Sequence, residues 1–339
     1  MSHTITIKPS NHVFTVNDDE TILEAALREG FVIAYGCRNG ACGTCKGKVL
    51  EGTVDYGNYQ EHALPDAEKK LGMALFCQAK PLTDLAIECR EIGAVKDIQI
   101  KILPCRVQKM ERLAPDVMAL HLKLPANERL QFLAGQYIDI LMKDGKRRSL
   151  SMANAPHDDA FLQLHLRNYG GPFSDYVFNR MKEKEILRFE GPLGTFFLRE
   201  DSGKPIILLA SGTGFAPIKA IVEHVLHKGI RRAITLYWGA RVRADLYLND
   251  LAEQWQREHG IKYVPVLSEA RPEDHWNGRT GLVHRAVMQD FPDLSAYQVY
   301  ACGAPAMVEA AHQDFTTQCR LPDDEFYSDS FTPAVPASS

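Results

Sequence analysis

Three of the eight cysteines in this 339-residue chain stand close together as Cys37-x4-Cys42-x2-Cys45, with Cys77 a distant fourth. Four thiolates so spaced suit two irons bridged by two sulfides. A tight loop wraps one side of such a cluster and a remote ligand clamps the other. Negative sulfur needs backbone N–H groups turned toward it, and Gly36, Gly40, Gly43 and Gly47 permit that close approach. A zinc site or redox thiols are the alternatives. Zinc usually takes its ligands as two short pairs, which this spacing does not supply. Cys37, Cys42, Cys45 and Cys77 are therefore the expected ligands of a [2Fe-2S] cluster. Cys89, Cys105 and Cys319 lack partners at useful spacing and read as small buried hydrophobes.

Further segments are suited to holding phosphate. Ser211-Gly-Thr-Gly-Phe-Ala-Pro217 follows the apolar run Ile206–Ala210 and precedes a helical stretch, with Pro217 expected at its first position. Gly212 and Gly214 allow a tight turn against a diphosphate, which then faces the helix N-terminus. Gly171-Pro-Phe173-Ser174 reads as the turn opening a helix at Asp175, either an anion site or an ordinary cap. Arg148-Ser149-Leu150-Ser151 reads, on its residues alone, as a polar strand end. In Arg241-Val-Arg243-Ala-Asp245, Arg241 suits a ribose 2′-phosphate and Asp245 a free 2′-hydroxyl; solvated charges are the alternative. Cys302-Gly303-Ala-Pro305 ends the last main strand. Its thiol is either part of a nucleotide site or buried packing.

The elements that must position these residues fall into three textures. In residues 1–90, Thr4–Ile7 and Val13–Val16 alternate as strands, Thr21-Ile-Leu-Glu24 is a capping box, and Gly30 closes the short helix it opens. Residues 91–101 read as a polar linker. Residues 102–199 are strand-rich, with Val117–Leu124, Tyr137–Met142, Ser149–Met152, Leu162–Arg167 and Ile186–Phe189 spaced as in a β-barrel or sandwich. From Lys204 strands and helices alternate. The strands are Ile206–Ala210, Ala233–Trp238, Tyr263–Leu267 and Gln298–Ala301. The helices are Pro217–His227, Leu246–Glu258, Val283–Met288 and Ala306–Gln318, which predicts a doubly wound parallel sheet. Residues 332–339 read as a disordered tail.

Composition narrows the function. Lys plus Arg 39 against Asp plus Glu 43 gives a net charge of −4, so no field draws a polyanion and nucleic acid is excluded as the main partner. The N-terminal segment has neither the basic region nor the apolar run of a signal peptide, and no stretch is long enough to span a bilayer. The expectation is a cytoplasmic monomer without membrane contact.

With these residues in view, residues 1–90 resemble plant-type ferredoxins, which are β-grasp folds. Nearly all of residues 1–331 resembles the reductases that fuse such a ferredoxin to a ferredoxin–NADP reductase-like module. The resemblance implies a multidomain α+β chain: a [2Fe-2S] ferredoxin domain in 1–93, an antiparallel Greek-key β-barrel for FAD in 101–200, and an NAD(P)-binding domain in 203–331. Arg148-Ser-Leu-Ser151 is similar to the family's Arg-x-Tyr-Ser signature, with leucine at the aromatic position. By that likeness Arg148, Ser149, Leu150 and Ser151 line the flavin, Arg148 on its pyrophosphate and Ser151 at the N5 edge where hydride arrives. His165, Leu166 and Arg167 follow the ribityl and diphosphate, and Gly171, Phe173 and Ser174 hold phosphate. Gly191-Pro-Leu-Gly194 matches the barrel-closing turn. Gly212, Thr213, Gly214 and Pro217 take the nicotinamide nucleotide, with Arg241 and Asp245 at its adenosine ribose. Cys302 and Gly303 lie beside the nicotinamide C4, and Phe331 belongs to the aromatic segment that covers the flavin. Ser151 and Cys302 are the implied catalytic pair.

The implied cofactors are a [2Fe-2S] cluster, FAD, and NADH with NADPH possible. A nicotinamide gives two electrons together and the cluster takes one, so flavin must mediate. The implied partner is an electron-acceptor protein docking near the cluster. Three acceptors stay open: a dehydratase of deoxysugar synthesis, favoured by overall likeness; an aromatic oxygenase or hydroxylase component; or free flavin, as in an NAD(P)H–flavin reductase.

Overall fold

The structure, a computed structural model, describes residues 2–93 and 98–331. The expected tail and part of the expected linker lie outside the described residues. Two compact units divide at Gln99 and Ile100.

In the first unit, β1 (His3–Lys8) and β2 (Val13–Val16) form a hairpin, and α1 (Ile22–Arg28) packs behind them. Thr21 and Glu24 close the expected capping box on α1, and Gly30 ends it in the left-handed region. After the cysteine loop come β3 (Lys46–Glu51), β4 (Val54–Asp55), α2 (Asp66–Lys70), β5 (Met73–Leu75), β6 (Lys80–Pro81) and β7 (Leu85–Glu88). The main sheet has the order β2-β1-β7-β3-β5, with β1 and β7 parallel, and β4 and β6 pair separately. This is the β-grasp arrangement. Its sheet and helix bury Ile5, Ile7, Val16, Ile22 and Leu23, each worth roughly 1.5–3 kcal/mol on removal from water.

The second unit opens with a barrel sheet. Its elements are β8 (Lys101–Ala114), β9 (Val117–Lys123), β10 (Tyr137–Leu141), β11 (Arg147–Ser151), β12 (Leu162–Arg167), α3 (Pro172–Asn179) and β13 (Ile186–Leu193). The order β11-β10-β13-β8-β9-β12 is antiparallel throughout, and a bridge between Met152 and Leu164 draws the two edges together. Strand β8 starts where the sequence reads as linker. Its buried Leu103, Cys105 and Val107 alternate with exposed Ile102, Pro104 and Arg106, a period-2 signal that Pro104 and the flanking charges mask.

The chain then alternates as expected through β14 (Ile206–Ser211), α4 (Phe215–Lys228), β15 (Ile234–Ala240), α5 (Asn249–His259), β16 (Lys262–Leu267), β17 (Arg279–Thr280), α6 (Val283–Asp290), β18 (Gln298–Gly303), α7 (Pro305–Gln318) and β19 (Phe326–Ser330). All pairings in the order β17-β16-β15-β14-β18-β19 are parallel. The chain runs outward in opposite directions from β14, so the switch point lies between β14 and β18. Ligand crevices form at the carboxyl ends of such strands.

At the two glycine turns expected to hold phosphate, the helix starts differ from expectation. Helix α4 begins at Phe215, so Pro217 is its third residue; a short 3-10 turn over Gly212–Gly214 already starts the coil. Helix α3 begins at Pro172 with Gly171 as its cap, three residues before Asp175, because proline suits the first helical position. No described helix is long and apolar enough to cross a membrane.

Candidate functional site

The cysteine loop gathers its sulfurs as two pairs. Cys37 lies beside Cys42, and Cys45 beside Cys77. Among the described residues no three His, Cys, Asp or Glu side chains converge on a single metal-ion position. A two-iron cluster wants two thiolates per iron, and the pairs supply them. Backbone N–H groups are aimed at the sulfurs: Cys37 N–H at Cys42 Sγ (3.4 Å), those of Asn39 and Ala41 at Cys37, and that of Gly40 at Cys77. The hydrogen bond from Cys42 is the main cause that holds the Cys37 thiol down at about 7, with those N–H groups adding to it. Gly36 leaves no slack. A Cβ there would lie 3.2 Å from Cys42 Sγ. Cys89 and Cys105 have thiols that burial pushes up to about 12, as for inert packing.

Strand β11 turns Leu150 partly into the barrel core, while Ser149, on the opposite face, donates to Asp139 at 2.6 Å. Arg147 is committed to Asp139 and Glu190. Arg148 is half-buried, with Nη1 donating to the Arg147 carbonyl. On β12 the side chains alternate. Leu166 enters the barrel core, whereas His165 and Arg167 face the nicotinamide half. Burial takes the His165 imidazole down to about 3, so it stays neutral at ordinary pH. Phe173 is 3% exposed and packed in the barrel core, so only its backbone can serve a phosphate. Ser174 Oγ donates back to the Gly171 carbonyl at 2.9 Å. The first-turn N–H groups of α3 follow Pro172, which has none.

At the switch point two turns lie back to back. A Cβ on Gly214 would fall 2.1 Å from the Cys302 carbonyl oxygen, and one on Gly303 2.3 Å from Ser211 Oγ. The Ala304 N–H donates to that same Oγ at 2.9 Å. Thr213 is buried between them. Strand β19 runs beside β18 and places Asp329 in register with Cys302. Ser151 Oγ donates to Asp329 Oδ2 at 3.2 Å. The structure thus brings Ser151 and Cys302 to one buried carboxylate from opposite halves of the unit. Burial pushes the Cys302 thiol well up, and Asp329 adds to it, so the thiol stays protonated. Asp329 was missed in sequence; its signal was an acid inside the aromatic segment Phe326–Phe331. Of that segment's rings, Phe326 packs beside His312 and Phe315, and Tyr327 stacks on Tyr300 at 4.8 Å. Phe331 follows β19, its N–H on the Gly303 carbonyl at 2.8 Å.

Arg241 stands exposed past the tip of β15, 3.6 Å from Asp245. Asp245 is buried and also meets Arg167 at 3.4 Å. The donors fit the implied groups: paired thiols under N–H groups and a glycine cradle that a Cβ would fill.

Three family models match in succession: a 2Fe-2S iron-sulfur cluster binding domain over residues 5–82, an oxidoreductase FAD-binding domain over 104–198, and an oxidoreductase NAD-binding domain over 208–313. The CDP-6-deoxy-L-threo-D-glycero-4-hexulose-3-dehydrase reductase of Yersinia pestis is 41% identical over 336 residues, 98% of this chain and 100% of that protein. The chain belongs to the ferredoxin-fused iron–sulfur flavoprotein reductases. Another reductase of this kind, the phenol 2-monooxygenase reductase component DmpP of Pseudomonas sp. strain CF600, is 35% identical across 99% of this chain and 96% of its own. The crystal structure of the Amycolatopsis cytochrome P450 reductase GcoB superposes with a TM-score of 0.78 at 33% identity, over 98% of this chain and 99% of that one. This protein is accordingly an oxidoreductase that carries electrons from NAD(P)H through FAD to a [2Fe-2S] cluster.

Proposed function

We propose that this reductase acts in the cytoplasm as a monomer and delivers electrons from NADH to a dehydratase of deoxysugar synthesis that docks near the cluster. The observation that carries this reading is the full-length likeness to the CDP-hexulose dehydrase reductase. In it, residues 1–93, 101–200 and 203–331 are the cluster, flavin and nicotinamide domains. Cys37, Cys42, Cys45 and Cys77 hold the cluster. Arg148, Ser149, Leu150, Ser151, His165, Leu166, Arg167, Gly171, Phe173 and Ser174 form the flavin site. Leu166 and Phe173 serve it through their backbones.

Gly212, Thr213, Gly214, Pro217, Arg241, Cys302 and Gly303 form the nucleotide site, with Asp245 at its border beside Arg241, and Phe331 covers the flavin face. Bound FAD takes a hydride and gives electrons up singly. The chain's part is to hold donor and acceptor in line and keep water out. Ser151 and Cys302 orient the reacting edges, and Asp329 holds the Ser151 proton. NADH is favoured over NADPH because the guanidinium of Arg241, past β15, already lies beside a carboxylate. Arg241 Nε lies 3.6 Å from Asp245, and Arg243 Nη1 donates to the Asp274 backbone carbonyl.

The test is anaerobic reduction by NADH or NADPH, followed by turnover with a CDP-4-dehydro-6-deoxyglucose dehydratase or an aromatic oxygenase component. Faster turnover with the dehydratase supports the reading. Faster turnover with the oxygenase component moves the protein to the second class.

Leu150 favours a second reading, reduction of free flavin. An aromatic ring stacked on the isoalloxazine is worth roughly 0.5–1.5 kcal/mol beyond its area, and at 1.4 kcal/mol per tenfold its loss weakens FAD binding about two- to tenfold. Leu150→Tyr should tighten FAD by that factor in fluorescence titration. Equal affinity would mean that Phe331 already supplies the stacking.

A further inference from the structure

Strand β12 and the segment after β15 meet through two rungs. Residues two apart on a strand share a face, so His165 and Arg167 project together. They meet Tyr247 and Asp245, also two apart. His165 Nδ1 lies 3.0 Å from the Tyr247 hydroxyl, with the rings edge-on at 84°. Arg167 Nη2 lies 3.4 Å from Asp245 Oδ1, and its Nε 3.3 Å from Asp116 on the barrel side. The first rung continues inward. Tyr247 stands edge-on to Trp238 at 5.3 Å, Trp238 stacks on Phe215 at 3.8 Å, and Trp238 Nε1 donates to the Gly212 carbonyl at 3.1 Å. The second rung borders the same turn, since a Cβ on Gly212 would lie 3.8 Å from Arg167 Nη1. Both rungs therefore connect the flavin strand to the nucleotide turn.

Asp245 is poorly placed for a ribose. Its side chain is 11% exposed, Oδ1 lies 3.4 Å from Arg167 Nη2, and the buried Oδ2, which accepts no hydrogen bond, lies 3.6 Å from Arg241 Nε. The exposed group at the strand tip is Arg241, at 63%.

We propose that Asp245 and Tyr247 are positioning residues that fix β12 against the nucleotide turn, and so set the gap across which hydride passes, rather than ligands of the nicotinamide nucleotide. This rests on the hydride-transfer reading of the site. A buried Arg–carboxylate pair adds little net stability, but losing one partner leaves a buried charge free to re-orient. A small shift of reacting groups costs rate far more than affinity.

The experiment is stopped-flow reduction of the FAD-loaded protein by NADH in wild type, Asp245→Asn and Tyr247→Phe, with the FAD dissociation constant measured in parallel. Tyr247→Phe removes only the hydroxyl and keeps the ring, so it tests the first rung should Asp245→Asn fold poorly. The expected result is a limiting reduction rate lowered about tenfold or more in each variant, half-saturating NADH within about twofold of wild type, and weaker FAD binding in Asp245→Asn. A tenfold rise in half-saturating NADH at an unchanged limiting rate would overturn the proposal and return Asp245 to the ribose. Unchanged rates in both variants would also overturn it, reducing the rungs to packing. A wild-type protein that NADH does not reduce would instead refute the underlying function.

Discussion

Cys77→Ser will purify with less than a tenth of the wild-type iron and acid-labile sulfide, and will lose the EPR signal of the reduced cluster. Removing an outer-shell partner of a metal site typically costs 10–100-fold in affinity, and removal of a direct ligand costs at least ~100-fold. Cys77 is one member of the Cys45–Cys77 pair, so its loss leaves one iron with a single thiolate. It is 5% exposed and follows buried Leu75 and Phe76 at the end of β5, so packing holds it in place. Reduction of cytochrome c, used as a protein acceptor for the cluster's electrons, should fall by about a hundredfold. Ferricyanide reduction from the flavin should stay within about twofold, because the barrel and nucleotide domain form a unit of their own. Cys89→Ser is the control. Its thiol is packed rather than paired, and cluster content should not change. Zinc in place of iron in wild type, or an intact signal in Cys77→Ser, would refute the ligand set.

How legible each part was in sequence follows from where its information is stored. The cluster loop was readable because its chemistry fixes residue type and spacing within a dozen residues. The parallel sheet was readable because Ile206–Ala210 and its neighbours are buried on both faces and so are apolar without interruption. Strand β8 was not, because Pro104 and surrounding charges hide a half-exposed alternation. Strand β12 lies where the pattern predicts it, at Leu162–Arg167, but which of its side chains enter the core was not legible. Leu166 and Phe173 match the resemblance by position yet spend their side chains on the barrel core, which a short motif cannot express. The Ser151–Asp329 bond and the Arg167–Asp245 pair join residues far apart in sequence. Neither member carries a local signature of the other, so only the fold reveals them.

Cys302→Ala will slow hydride transfer to FAD by about ten- to a hundredfold, the range expected when reacting groups lose their fixed geometry, while FAD content and cluster content stay at wild-type levels. Cys302 is fully buried at the end of β18, its carbonyl closed against Gly214 and its strand neighbour Asp329 holding Ser151. Truncation opens space at the one point where both turns and the Ser151 carboxylate partner meet. The cavity costs about 1 kcal/mol or more of stability, so thermal unfolding must be followed alongside the rate. Cys302→Ser, which keeps a small polar group there, should recover part of the rate, which a purely packing role would not require.

The pH profile gives a second discriminant. Burial raises the thiol pKa, so Cys302 is neutral below that raised value and ionises only well above the ordinary thiol range. A positioning thiol therefore predicts a flat wild-type rate through neutral and mildly alkaline pH. A nucleophilic or proton-accepting thiolate would demand a rate that climbs with pH in that window and loses the climb in Cys302→Ala. Stopped-flow reduction at wild-type speed in Cys302→Ala would assign the residue to packing and leave Ser151 with Asp329 as the groups that orient the hydride path.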